Sequence, residues 1–271
     1  MNFDLTVAIN WALQVQAAAQ VGEGNNPQYN PPNGYTVLTP IFGNDLATDK
    51  KGAAIADYVP YGYVARNGAS VVIAIRGTDN VFEWVQDAKF LMQKCPIANS
   101  AGNTEDGFSD VYMSMRVQPD PNAQTIAQYM SGALQPGDAV VVCGHSVGAA
   151  LATLCAYDLA LNVKPGNLAS FTYASPNVGD QTFADSYGTT VPVAWRIVNP
   201  FDIVTHVPTR IGLGYQTVGQ TEEFNPLGKV RFGIACFHHL TTYLHLMTTQ
   251  AGWANPIPLD PECVYRPFLG I

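Results

Sequence analysis

Charge is scarce in this sequence. Acidic and basic side chains make up 13% of its 271 residues, about half the ~25% usual for a globular chain. Asn, Gln, Thr and Ser must therefore cover much of the surface. Positive charge is the scarcer sign. Thirteen basic residues against 21 acidic ones leave a net −8, which argues against nucleic acid as a partner and makes anionic membranes repulsive on average. Neutral lipid or a neutral ester meets no such barrier.

Cysteine is sparse as well. The count of five is odd, so at least one thiol has no partner within the chain. No C-x-x-C spacing occurs, so a thiolate zinc site is not expected. Cys143 and Cys155 lie in apolar surroundings and read as buried thiols, while Cys95, Cys236 and Cys263 remain candidates for one disulfide. No apolar run reaches the roughly 18 residues that span a bilayer. The start, Met1-Asn2-Phe3-Asp4-Leu5, has no basic stretch, so no secretory signal is expected in the sequence as it stands. A mature secreted form is preferred over a cytoplasmic one.

The apolar patterning points to an α/β fold with a mostly parallel sheet. Val71-Val72-Ile73-Ala74-Ile75 and Ala139-Val140-Val141-Val142-Cys143 are continuous apolar runs, as strands buried on both faces require. Further strands are expected at 35–42, 61–66, 169–174 and 193–198, with Asn67-Gly68 as a hairpin signal before 70–76. Helices are expected at 4–21, 107–131, 147–161, 180–187 and 240–250, the first capped by Asp4 or Thr6 and stopped by Gly22. The proline-rich tail from Asn255 should wrap as coil. This alternation of strand and helix is what a sheet flanked by helices demands.

Gly144-His145-Ser146-Val147-Gly148 fits G-x-S-x-G. The bare pattern is weak, but its context is not. A buried strand ends at Cys143 and a helix starts at once after it, which is the strand–turn–helix of a nucleophile elbow. Small residues at 144 and 148–150 let the helix lie close to the strand, and its N-terminus then favours negative charge at the reacting centre. Ser146 is thus the candidate nucleophile. Such a serine needs a base, and the base needs an orienting acid.

Histidine is informative because there are five: 145, 206, 238, 239 and 245. His145 adjoins the serine and cannot swing round to it, and His245 lies deep in a helix. Asp202 follows the 193–198 strand, where the loops of such sites sit. Asp180 reads as a helix cap and Asp185 as a helix-interior residue. From the residues alone, the base stays open among the remaining histidines.

Several motifs in order resemble the class 3 lipases, a family that includes fungal triacylglycerol lipases and feruloyl esterases. The resemblance runs from about residue 70 to 246. Val72-Ile73-Ala74-Ile75-Arg76-Gly77-Thr78 is similar to the family's oxyanion strand, and Trp84 and Asp87 follow in register. Gly107-Phe108 with Tyr112 resembles its G-F-x-x-x-Y segment. The elbow, the turn Ala174-Ser175-Pro176-Asn177-Val178-Gly179-Asp180 and the loop Asp202-Ile203-Val204-Thr205-His206-Val207-Pro208 all have counterparts. So does His238-His239-Leu240-Thr241-Thr242-Tyr243-Leu244. Val147, Ala149 and Glu105 depart from the family pattern, Glu105 standing where a histidine is frequent.

The resemblance implies an α/β-hydrolase fold as one domain over residues 1–271. It implies a Ser146, Asp202 and His238 triad acting through an acyl-enzyme. His238 is preferred over His239 because Tyr243 then lies five residues on; a closer tyrosine would favour His239. His206 matches a site-adjacent, non-catalytic position. The oxyanion hole falls to the backbone N–H groups of Thr78 and Val147, with the Thr78 hydroxyl in support. No cofactor or metal is called for. Residues 79–92, apolar with Glu83, Gln86 and Asp87 interleaved, match a lid over the acyl pocket, against the plainer reading of a helix packed on the core. The implied substrate is a lipid ester. A small or aromatic ester, or an inactive hydrolase-fold binding module, are the alternatives.

Overall fold

The computed structural model of the protein describes residues 2–20, 27–44, 58–77 and 90–266. Helix α1 (Leu5–Ala19) begins as the sequence predicts, with Asp4 Oδ1 accepting the N–H groups of Thr6 and Val7 at 2.9 and 3.1 Å. Gly22, its expected stop, lies outside the described residues. The strands in chain order are β1 (Thr36–Asn44), β2 (Tyr58–Asn67), β3 (Ser70–Ile75), β4 (Met92–Lys94) and β5 (Asn103–Glu105), then β6 (Ala139–His145), β7 (Asn167–Tyr173), β8 (Gly179–Asp180), β9 (Ala194–Val198), β10 (Tyr215–Gln216) and β11 (Gln220–Glu223).

Among the described residues, the main sheet runs β1-β2-β3-β6-β7-β9-β11. Strands β1 to β3 pair antiparallel, and β3 to β11 pair parallel. Alternation along β6 explains its apolar run. Val140 and Val142 enter the core on one face, and Val141 and Cys143 enter the core on the other. The first face packs against α2 (Asp106–Ser114), α3 (Ile126–Ala133), α4 (Val147–Asp158) and α5 (Gln181–Thr190). The second packs against α1, α6 (Ile234–His238) and α7 (Leu240–Gln250). No helix among the described residues is long and apolar enough to cross a membrane.

The expected helix over 107–131 is two helices. Pro119 and Pro121 fall between them and remove the donors a continuous helix needs. Thr125 then restarts the chain with a capping box to Gln128. The hairpin turn sits one residue later than Asn67-Gly68 suggests, since Asn67 still pairs with Ser70. Helix α4 runs on as a π-turn at Leu159–Val163. A small antiparallel sheet, β10-β8-β5-β4, was not expected. Its strands are two or three residues long and polar, too short for a period to register.

The cysteines sort as follows. Cys236 and Cys263 form a disulfide, and Cys95, Cys143 and Cys155 are buried thiols.

Candidate active site

The elbow is built by contact too close for side chains. A Cβ on Gly144 would lie 2.2 Å from the Gly148 carbonyl oxygen, and one on Gly148 would lie 2.2 Å from that of Arg76. Glycine at both positions lets α4 start directly off β6 beside the end of β3. Ser146, between them, takes φ 59° and ψ −130°, a left-handed conformation that a non-glycine residue holds only under constraint. Its N–H donates to the Tyr173 carbonyl at 2.9 Å, which pins the turn to β7.

His238 closes α6, and its Nε2 lies 2.9 Å from Ser146 Oγ. Its Nδ1 lies 2.8 Å from Asp202 Oδ2. Asp202 is fully buried in the loop after β9, and His238 and Ser146 are nearly so. A buried carboxylate accepts, so Nδ1 carries the proton and the Nε2 lone pair faces the serine hydroxyl. Asp202 Oδ2 also accepts the Tyr243 hydroxyl at 2.8 Å, and Oδ1 accepts the Val204 N–H at 3.1 Å. The structure therefore brings Ser146, Asp202 and His238 into one hydrogen-bonded line. Val147, the first residue of α4, presents an N–H that the helix itself cannot satisfy. Thr78, its expected companion, lies outside the described residues, as do residues 79–89 of the lid-like segment.

The competing residues are occupied elsewhere. His239 Nδ1 pairs with Asp260 Oδ2 at 2.6 Å. His206 Nε2 lies 3.0 Å from the Pro200 carbonyl, and His245 Nδ1 lies 2.8 Å from that of Ile257. Asp180 caps α5 through the Phe183 N–H. Asp185 accepts from Gln181 on the exposed face of that helix.

Supporting roles that the sequence did not assign fall to residues around the three. Burial holds His145 well below the ordinary histidine range, helped by its neighbour His238. Neutral His145 donates from Nε2 to the His238 carbonyl at 2.8 Å. Asn199 accepts from the Phe201 N–H and donates to the Phe237 carbonyl, at 3.0 and 2.9 Å. Its own N–H donates to the Tyr243 hydroxyl at 3.0 Å. Arg196 is buried on β9, and its Nη2 donates to the carbonyls of Ser175 and Thr205 at 3.0 and 2.7 Å. Burial pulls the guanidinium pKa down, while the Asp202 carboxylate opposes that shift. His145 carried a local signal as part of the elbow motif and Asn199 one as an Asx turn before Asp202, while Arg196 carried none.

Comparison with known proteins gives a consistent set of relatives. Residues 72–211 match the Lipase (class 3) family. A lipase of Rhizomucor miehei is 34% identical over 142 residues, covering 51% of this chain and 38% of that one. A secreted mono- and diacylglycerol lipase A of Penicillium cyclopium is 31% identical over 206 residues, covering 76% and 61%. Phospholipase A1-IIgamma of Arabidopsis thaliana is 28% identical over 221 residues, covering 71% and 52%. The chain thus spans about half, or less, of several of the curated relatives it matches. The solved structure of the Rhizomucor miehei lipase propeptide complex superposes with a TM-score of 0.60 at 24% identity, covering 81% of this chain and 67% of that one. That likeness gives the α/β-hydrolase fold.

Proposed function

The chain belongs to the class 3 lipase family, and from that premise we propose that it is a serine hydrolase of lipid carboxylic esters. The observation that carries the reading is the unbroken line from Ser146 Oγ through both nitrogens of His238 to Asp202. Ser146 Oγ attacks the ester carbonyl while its proton passes to His238 Nε2. Asp202 stabilises the imidazolium that forms. The carbonyl oxygen, now negative, takes the N–H of Val147 at the N-terminus of α4 and, on the sequence reading, that of Thr78. The leaving alcohol recovers the proton from Nε2. Water, activated by the same nitrogen, then releases the acid and frees the serine.

Acylglycerols and phospholipids are the proposed substrates, in line with the named activities of the Penicillium and Arabidopsis relatives. Of the expected lid 79–92, residues 79–89 are proposed as the lid, because Met92 pairs with Glu105 in β4 and the Leu91 carbonyl accepts the Asp106 N–H; a single hydrolase domain is proposed as the working unit. Secretion is proposed as well. A disulfide beside the site suits an oxidising compartment, and the Penicillium relative is named as secreted.

The test is chemical. A fluorophosphonate should add to Ser146, and Ser146→Ala should lose on the order of 10⁶ in kcat. His238→Ala should fall about as far, and His239→Ala far less. Labelling of another serine, or an active Ser146→Ala protein, would end the proposal. Rates over esters from acetyl to oleoyl and feruloyl then separate a lipase from a small-ester or aromatic esterase.

A further inference from the structure

Among the described residues, several exposed apolar side chains lie on the segments that carry the buried His238–Asp202 pair. Phe232 is 79% exposed and Ile234 is 52% exposed. The Phe232 ring meets the buried Phe237 ring edge-on at 5.3 Å, and the exposed Phe201 ring lies 5.9 Å from Phe237. Phe237 directly precedes His238. Ile203, also exposed, directly follows Asp202. Single exposed apolar residues are ordinary, but several on the segments that carry a reactive pair are not.

Covalent and backbone links tie the Phe232–Ile234 part of this group to the C-terminal stretch. The Cys236–Cys263 disulfide ties the base of α6 to the C-terminal stretch. Val230 bridges Val264, the Arg231 N–H donates to the Cys263 carbonyl at 2.9 Å, and Arg231 Nη1 donates to the Glu262 carbonyl at 3.1 Å. The clipped stretch adds exposed Val264 and Tyr265 to the same rim.

Charge is distributed to match. The whole excess of negative charge falls in residues 1–202, while residues 203–271 carry four acidic and four basic side chains. Lys229, Arg231 and Arg266 are exposed on the two clipped segments. No acidic residue lies between Glu223 and Asp260, and Asp260 is engaged by His239 and Thr241. Glu262 is the one acidic neighbour on these segments.

We propose that residues 226–234 and 262–266 form a fixed seat for an anionic phospholipid surface, beside the catalytic histidine and separate from any lid. Phe232 and Ile234 enter the acyl boundary, and Lys229, Arg231 and Arg266 meet the headgroup phosphates. The seat turns the rim of the site toward the lipid despite the overall −8 charge. This inference rests on the reading of the site as a lipid-ester hydrolase.

The experiment is vesicle sedimentation in a Ser146→Ala background, so that no lipid is consumed. Vesicles are phosphatidylcholine alone, or with about one third phosphatidylglycerol. The parent should prefer the anionic vesicles and lose that preference in high salt. Phe232→Ser with Ile234→Ser should cut partitioning about tenfold or more on both. Lys229→Gln with Arg231→Gln should cost about fivefold per charge, on the anionic vesicles alone. Met113→Ser, at an exposed apolar position on α2, should bind as the parent does. Phe232→Trp gives a second readout that does not depend on a destabilised variant: its emission, as a difference from the parent, should shift blue on vesicles.

Parent-like binding by the Phe232/Ile234 variant, or an unshifted Phe232→Trp emission, would overturn the seat. So would indifference to anionic lipid. Self-association in sedimentation velocity that Phe232→Ser abolishes would assign the face to a second copy of the chain instead. Vesicle binding by a protein whose Ser146 resists a fluorophosphonate would sink the hydrolase reading and leave the seat. An acylated serine with patch-independent binding would do the reverse.

Discussion

Tyr243 governs the polar side of the site. Its hydroxyl donates to the buried Asp202 carboxylate and accepts from the Asn199 N–H. Burial, and then the charge of Asp202, raise its pKa well above the ordinary tyrosine value, so the phenol stays protonated and keeps donating. A hydrogen bond to a charged group contributes about 1.5–3 kcal/mol. Tyr243→Phe should therefore lower kcat on a soluble ester by about tenfold to a hundredfold with KM held. An unchanged kcat would mean that His238 and Val204 suffice to hold Asp202. Glu105 makes a different prediction. Its Oε2 accepts the Phe108 N–H at 2.7 Å and caps α2, yet burial pushes its carboxyl up to about 7. The folded state then binds the proton more tightly than the unfolded chain does. Stability should fall as pH rises from about 4.5 through about 7, and the full cost is present above that window. Glu105→Gln keeps an acceptor for Phe108 and removes the charge. It should raise the unfolding free energy at pH ~8 by up to about 3 kcal/mol and do little at pH ~4. Equal thermal shifts at both values would show that Glu105 ionises freely in the fold.

At the scale of elements, the β6–elbow–α4 unit is the most constrained part of the molecule. Gly148→Ala drives a Cβ into the Arg76 carbonyl, a backbone group that can yield only if β3 and α4 part. Overpacking of this kind costs about 1–3 kcal/mol. The melting temperature and the rate of fluorophosphonate labelling should both drop, and a drop in neither would mean that the elbow has slack. This unit was also the most legible in the sequence, for the same physical reason. A strand buried on both faces has to be continuously apolar, and the close approach has to be glycine. Asp202 was legible as a residue just past a strand end. The residues alone left the base open, and only the family spacing separated His238 from His239. The fold adds what no spacing carried: a five-residue helix, α6, that ends on His238 and turns His239 to Asp260. The small sheet and the polar edge strand β11 escaped because two to four residues hold no period. The supporting bonds of half-buried His145 and buried Arg196 escaped because each reaches a carbonyl set by the fold, which composition does not mark.

For the molecule as a whole, two apolar features bear on where it works, and they act on different steps. The Phe232–Ile234 rim is exposed beside the Cys236–Cys263 disulfide, so on the proposal above it should change how tightly the protein attaches to a lipid surface. Residues 79–89, as the proposed lid, should change what the attached protein does. Apolar area exposed to water costs about 25 cal/mol per Å², so a closed lid should dominate with a dissolved substrate and open against lipid. Activity on a medium-chain triglyceride should then rise sharply as the substrate passes its solubility limit. The two features separate in a titration against emulsion surface area. Phe232→Ser with Ile234→Ser should demand more surface for half-saturation and reach the same turnover. Trp84→Ser should keep the half-saturating surface and lower the turnover at saturation, blunting the rise. A smooth rate curve through the solubility limit, with Trp84→Ser indistinguishable from the parent, would remove the lid and leave attachment through the rim as the only source of surface preference.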